Sequence, residues 1–226
     1  MPAVIPWSWS SLQSFETCPH RHNLTKIAKV ITEPTTPALA EGRAAHKSME
    51  DGVNGKPMAP QHRKYIDLIT VIRKAKGQKH TEIKWGVTGN FQRTGFFDKN
   101  VWARGVIDVA IIGKSTGVLI DYKTGKPKKD SDQLKLFSAA GFAMYPFLNK
   151  IKAAYAWLDH NKMDDETYLR EDVPIIWQEF APRVRRMEIA MERNEWPVKP
   201  SGLCGWCPVG RDKCEHWVAY RGEHRG

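Results

Sequence analysis

The chain has 226 residues, 41% of them hydrophobic and 27% charged, a balance that excludes a mostly disordered protein. Lys and Arg number 35 against 25 Asp and Glu, a formal charge of +10, which points to a polyanionic partner, either nucleic acid or an anionic membrane. No apolar run approaches the ~20 residues that span a bilayer, and residues 1–9 lack the basic start and apolar stretch of a secretory signal. The expectation is a cytoplasmic chain that does not enter a membrane.

In chain order, a helix is expected from Ser10, with Leu12, Phe15 and Leu24 apolar and a break at Cys18-Pro19. The Pro-rich stretch 33–37 reads as a turn, after which Thr36 can cap and Pro37 open a second helix that carries Gly42, Ala45 and His46. A Gly- and Pro-rich loop over 52–60 precedes a third helix, marked by Tyr65, Leu68, Ile69 and Ile72 and stopped by Gly77. Strands are then expected at 81–87, 101–112 and 117–122, separated by turns that contain Gly. A helix at 133–145, a strand at 152–158 and a long basic amphipathic helix at 175–193 follow, and the tail from Pro197 holds three of the four cysteines. This order predicts an α/β fold with a mixed central sheet flanked by helices. The chain reads as one domain over 1–226, with a helical part at 8–77, an α/β core at 79–195 and a cysteine-bearing tail at 197–218.

Two acids interrupt apolar strands. Asp108 lies in Val106-Ile107-Asp108-Val109-Ala110, and Asp121 lies in Val118-Leu119-Ile120-Asp121-Tyr122-Lys123. A buried carboxylate needs a cation or hydrogen-bond donors, and two strands with one acid each can offer both to a single divalent ion such as Mg²⁺ or Mn²⁺. Asp121 and Lys123, two apart, share a strand face. Lys123 can there orient or help deprotonate a water and stabilise negative charge in a transition state, or simply pair with Asp121 as a salt bridge at a strand end. Glu82, in the preceding strand, is either a further acid of the site or a solvated strand residue. His46 shares a helical face with Glu50.

Taken together and in order, these residues resemble the PD-(D/E)xK nuclease pattern, in particular the RecB-type exonucleases that include the nuclease domain of AddB and the CRISPR-associated RecB-like exonuclease. The matching stretches are Gly42-Arg43-Ala44-Ala45-His46, Gly105-Val106-Ile107-Asp108, Asp121-Tyr122-Lys123-Thr124-Gly125 and Gln133-Leu134-Lys135-Leu136-Phe137, where Phe137 stands in place of the usual Tyr. The resemblance implies a restriction-endonuclease-like core. It also implies a metal-dependent DNA exonuclease acting on single strands or duplex ends in recombination, repair or processing. His46, Asp108, Asp121 and the Tyr122 backbone carbonyl would be metal ligands, with Glu82 a looser match. Lys123 would be the catalytic lysine, and Gln133 would orient groups near it. A DNA-binding or complex-forming module on the same fold, and a structure-specific endonuclease, are the alternatives. A recombination or single-strand-binding protein would be a further partner. The sequence sets no oligomeric state.

Cys204-Gly205-Trp206-Cys207 is a C-x-x-C, Cys214 follows it, and Cys18 sits near the other end. In a reducing compartment two disulfides are not expected. Four thiolates suit an iron–sulfur cluster or structural zinc, and His20, His22 and His216 keep a mixed zinc site open. Ser10-Ser11-Leu12-Gln13-Ser14-Phe15-Glu16-Thr17-Cys18-Pro19 resembles the iron–sulfur subset of the same nucleases, which implies a [4Fe–4S] cluster tying the two ends of the chain together. Lys126, Lys128 and Lys129, in the turn after Asp121, are candidate phosphate contacts, as are Arg183, Arg185 and Arg186 of the last helix. Single-stranded bases would stack on aromatic side chains.

Overall fold

Helix and strand boundaries follow local chemistry throughout the structure, a computed structural model that describes residues 5–128 and 131–217. The helices are α1 (Trp9–Thr17), α2 (Pro19–His22), α3 (Pro37–Val53), α4 (Ile66–Lys74), α5 (Asp132–Met144) and α6 (Val173–Arg193). The strands are β1 (Gln78–Val87), β2 (Arg93–Thr94), β3 (Ala103–Ile112), β4 (Thr116–Lys123), β5 (Lys150–Trp157) and β6 (Lys162–Leu169). The chain separates into two compact units, Met1–Thr35 with Phe180–Gly226, and Thr36–Glu179. Among the described residues no helix is long and apolar enough to cross a membrane.

The first unit is built from both ends of the chain. Ser8 and Ser11 form a reciprocal capping box at the start of α1. The helix stops where the sequence predicts: Cys18 is extended (φ −162°, ψ 109°) and Pro19 opens α2, which runs on into a π-helical turn over Asn23–Ile27. Leu12 and Phe15 are buried, and Trp7 stacks on Phe180 at 6.1 Å. The Arg183 guanidinium donates to both carboxylate oxygens of Glu16 at 2.7 Å, a bidentate pair. His22 is wedged between Phe15 and Trp196, and its Nδ1 is buried without a hydrogen-bond partner. Burial, then the nearby Lys26 charge, push its pKa down to about 4.

A histidine held neutral in the fold stabilises it above the unfolded-state pKa, and that stability is lost as pH falls toward the folded value. Lowering the pH from 6.5 to 4 is therefore expected to remove about 2 kcal/mol, less than the full shift implies because the unfolded ring is already half protonated at pH 6.5 and the native ring is half protonated at pH 4. Urea unfolding of the parent and of His22→Phe across this range reads the effect. An equally steep pH dependence in the variant would rule out His22 as its source.

The second unit carries a six-stranded sheet of order β2-β1-β3-β4-β5-β6, antiparallel except for the β4–β5 pair. That parallel pair requires a crossover, and α5 supplies it. α5 is buried on nearly every side, and a Cβ on its Gly141 would come within 2.9 Å of Ile151, so the glycine lets the helix lie directly on the sheet. Thr36 caps α3 through the Leu39 amide and Pro37 opens it, as the sequence predicts. Its buried residues, Ala45, Ser48, Met49, Gly52 and Val53, recur at helical spacing. Together with Met58, Tyr65, Ile69 and Ile72 they cover the face of the sheet formed by Val109, Ile111, Ile120 and Tyr122. The sheet is mixed and flanked by helices, consistent with a restriction-endonuclease-like core. It has two strands beyond the sequence expectation, the short β2 and the edge strand β6. β1 also begins earlier than expected, pairing from Gln78 with Ile112.

Gly105 faces Trp85 directly across the β1–β3 register. A Cβ on it would sit 2.7 Å from the buried indole. Gly105→Ala is thus expected to lower stability by about 1–3 kcal/mol through overpacking, and Trp85→Phe in the same chain is expected to restore much of the loss. Denaturant midpoints of the single and double variants test this. An unchanged midpoint for Gly105→Ala would mean that the strand yields without strain.

Candidate active site

Asp108 and Asp121 converge because of how the β3–β4 ladder ends. The antiparallel register pairs Val109 with Ile120, and one step further sets Asp108 opposite Asp121 on the same face. There the Tyr122 amide donates to Asp108 Oδ2 at 2.7 Å. The carboxylate thus takes a backbone donor at the point where the two strands part. Both acids are buried, at 8% and 5% exposure.

α3 brings His46 to the same place. Its Nδ1 lies 3.3 Å from Asp108 Oδ1, and its ring packs edge-on against Tyr122 at 5.8 Å. Gly42, four residues earlier, faces Thr124, and an added Cβ would come within 3.2 Å of the Thr124 hydroxyl. The glycine therefore sets how closely α3 approaches the end of β4. Burial lowers the His46 pKa, but the hydrogen bond to Asp108 and the charges of Asp108 and Asp121 outweigh it, and the net shift is upward.

Lys123 and Gln133 complete the cluster. Lys123 Nζ donates to Gln133 Oε1 at 2.8 Å, and Gln133 Nε2 donates to Asp121 Oδ1 at 2.9 Å. Lys123 Nζ is also 2.6 Å from Asp121 Oδ2, an ion pair at the buried carboxylate, so the ammonium bridges Gln133 and Asp121. Burial raises the Asp121 pKa, Lys123 opposes the rise and Asp108 adds to it. The salt bridge considered from the sequence is therefore present, within a cluster that also engages Gln133. Tyr155 joins the cluster with no motif to mark it. It pairs with Asp121 across the parallel β4–β5 register, and its ring lies 5.1 Å from the Lys123 ammonium.

An open cavity of about 610 Å³ has His46, Asp108, Tyr122 and Lys123 among its lining, whereas Asp121, Gln133 and Tyr155 are not among its lining residues. Glu82 lies on the same cavity, across the β1–β3 register from Asp108. Its backbone is in the left-handed region at φ 50°, a conformation that costs about 1 kcal/mol or more in a non-glycine residue. Burial, then the charges of Asp108 and Glu50, raise its pKa.

The basic candidates are scattered. Lys126 and Lys128 are exposed in the loop after β4, and Lys129 lies outside the described residues. Lys128 lines a separate cavity with Asp164, Asp165 and Glu166. Arg183 is taken up by Glu16, and Arg185 by Glu188 and Glu192. In the first unit, Cys18, Cys204, Cys207 and Cys214 are all free thiols lining one small cavity of about 30 Å³. The His20 amide donates to the Pro197 carbonyl, and His20 Nε2 is 2.9 Å from the Lys213 carbonyl, so the tail meets the α1–α2 junction through protein contacts as well.

The model of the PD-(D/E)XK nuclease superfamily matches residues 6–214. The chain belongs to that superfamily. No curated protein matches it. Among solved structures, a protein from Eubacterium rectale provisionally described as an exonuclease is 12% identical, with 91% of this chain and 88% of that one covered and a TM-score of 0.57. The crystal structure of SSO0001 is 15% identical over 94% of this chain and 87% of that one, with a TM-score of 0.49. At 12% identity the likeness to the Eubacterium rectale protein is one of fold.

PD-(D/E)XK nucleases typically use Mg²⁺ or Mn²⁺. Among the described residues of this PD-(D/E)XK chain, no three His, Cys, Asp or Glu side chains converge at metal-binding distances. In the cluster the donors are bonded to one another: His46 to Asp108, and Lys123 and Gln133 to Asp121. The donor set nonetheless suits a hard cation. Two facing buried carboxylates repel each other, and at Asp121 burial and the Asp108 charge outweigh the opposing effects of Lys123 and His46, so the pair favours a further positive charge.

Proposed function

We propose that this chain is a divalent-metal-dependent deoxyribonuclease that hydrolyses phosphodiester bonds from the ends of single strands or duplexes. The observation that carries this reading is the buried pair Asp108 and Asp121, with Lys123 held beside Asp121 by Gln133, and with Asp108 and Lys123 lining an open cavity. His46, Asp108, Asp121 and the Tyr122 carbonyl would hold Mg²⁺ or Mn²⁺, which when bound supplies Lewis-acid polarisation of the phosphodiester. The chain's own groups do the remaining work. Lys123 presents its ammonium where negative charge grows as water attacks phosphorus. Gln133 fixes the lysine to Asp121 and Tyr155 faces it, so the ammonium is oriented before substrate arrives. His46 holds the Asp108 carboxylate from the side away from the Tyr122 amide. Glu82 adds a further acid to the same cavity.

End-labelled and closed circular single strands, incubated with Mn²⁺ or Mg²⁺, test the reading. Release of labelled mononucleotides or short products, with circles spared, supports an exonuclease. Cut circles support the structure-specific endonuclease, and tight binding without cleavage supports the binding module.

Cys18, Cys204, Cys207 and Cys214 are assigned to a bound [4Fe–4S] cluster, structural zinc being the alternative. The support is that all four cysteines line one cavity, with their side chains not drawn together to metal-binding distances. Burial raises the Cys207 pKa, against a backbone hydrogen bond from Val209 and the Arg21 charge, which lower it, and Cys18 and Cys204 add smaller upward contributions. Anaerobic purification, a visible absorption spectrum and analysis of iron, sulfide and zinc separate the two.

A further inference from the structure

Beyond the reaction cavity, the same sheet face carries a second feature. The loop between β1 and β3 is tightly anchored: β2 pairs with the end of β1, the Asp98 amide donates to the Gly95 carbonyl, and the Trp102 amide donates to the Val87 carbonyl. On this loop Phe97 is 77% exposed, and Phe96 packs edge-on against it at 4.8 Å. Two cations lie over the pair. Arg104 is 5.0 Å from the Phe96 ring and donates to the Phe96 carbonyl, while Lys84 is 5.8 Å from both rings. Among the described residues neither cation is engaged by a carboxylate.

Strand periodicity fixes where this feature points. Arg104 and Val106 share one face of β3, and the register pairs Lys84 with Val106, so Lys84 shares that face. Val106, Asp108 and Glu82 line the reaction cavity. The aromatic and basic patch therefore continues that face, four strand residues or about 13 Å beyond Asp108, a span of a few nucleotides.

We infer that Phe96, Phe97, Lys84 and Arg104 form a platform for a single-stranded segment of DNA adjoining the scissile phosphate. Unpaired bases stack on Phe97, and the two cations contact the backbone. An exposed aromatic side chain with uncompensated cations at its faces matches the chemistry of a single strand, whose bases offer flat apolar faces between phosphates. In a blunt duplex those faces are stacked on one another and not accessible. A protein partner would have to bring both acidic and aromatic groups to match the patch, whereas a single strand carries that alternation along its whole length. The anchored loop presents Phe97 with little ordering left to occur on binding.

The inference rests on the nuclease reading for its orientation, and its test is separable from that reading. Binding of a fluorescein-labelled oligothymidylate in EDTA, where no cleavage occurs, reads the platform alone. Phe97→Ala is expected to weaken this binding about 10-fold and to spare binding of a blunt duplex. Arg104→Gln and Lys84→Gln are each expected to flatten the dependence of log affinity on log salt by about 0.7. Unchanged affinity in Phe97→Ala, or an equal loss toward blunt duplex, overturns the platform. Hydrolysis of a nitrophenyl phosphodiester by the parent with Mn²⁺ reads the reaction cavity alone. Its absence counts against the nuclease reading and leaves the binding result to stand by itself.

Discussion

Asp121→Asn is expected to abolish DNA cleavage, by about 10³-fold or more, while leaving the fold as stable as the parent or more so. The two halves of this result have one cause. Asp121 is buried and faces a second carboxylate, so its ionised form is held in the fold against the pull of desolvation, and its pKa is raised. A group whose acidity falls on folding binds protons more tightly in the native state, and its charge opposes folding at neutral pH. The amide keeps the shape and can still bond Gln133, but it removes one of two facing charges. If Asp121 and Lys123 were only a structural ion pair, the outcome would be reversed: cleavage preserved, and stability lost because the Lys123 ammonium is left without its partner. Activity on labelled DNA and a denaturant midpoint, measured on the same preparation, decide between the two. A variant that is less stable and still cleaves as the parent does would remove the site from Asp121.

The same contrast explains what could be read from the sequence. Asp108 and Asp121 are legible because each breaks an otherwise apolar strand, and a break of that kind in a core is expensive unless something uses it. His46, Gly42 and Gly105 are legible only through the order of motifs. The structure supplies their physical reasons: a helix that must approach Thr124, and a strand that must leave room for the Trp85 indole. Phe137, which departs from the expected Tyr, is buried against Trp85 and serves as packing. β6 was hidden because Lys-Met-Asp-Asp-Glu-Thr-Tyr-Leu is an edge strand paired only with β5 and mostly exposed, so it has no apolar alternation to show. Tyr155 was hidden for a different reason. Its place beside Lys123 follows from a parallel register between strands that α5 separates in sequence, and no local pattern encodes that.

Replacing Cys204 and Cys207 together by serine is expected to loosen the first unit by about 5 kcal/mol, the chain-entropy value for a cross-link closing a loop of nearly 190 residues. Cys18 and Cys204 are that far apart in sequence, yet their thiols line one cavity. A group bound there would withdraw much of the freedom of the unfolded chain. The protein contacts alone are modest. They comprise the Trp7–Phe180 stack, the Arg183–Glu16 pair, and the bonds from His20 to the Pro197 and Lys213 carbonyls. These keep the two chain ends together in the native state without cross-linking the unfolded one. Limited proteolysis should therefore open the stretch 197–217 first in the double variant, at a temperature where the parent resists. Chelation or oxidative loss of the bound group from the parent should reproduce the pattern with the cysteines intact. Equal resistance of parent and variant, together with no iron or zinc in the parent, would show that the four thiols tie nothing together and that packing by Trp7, Phe180 and Arg183 holds the unit unaided.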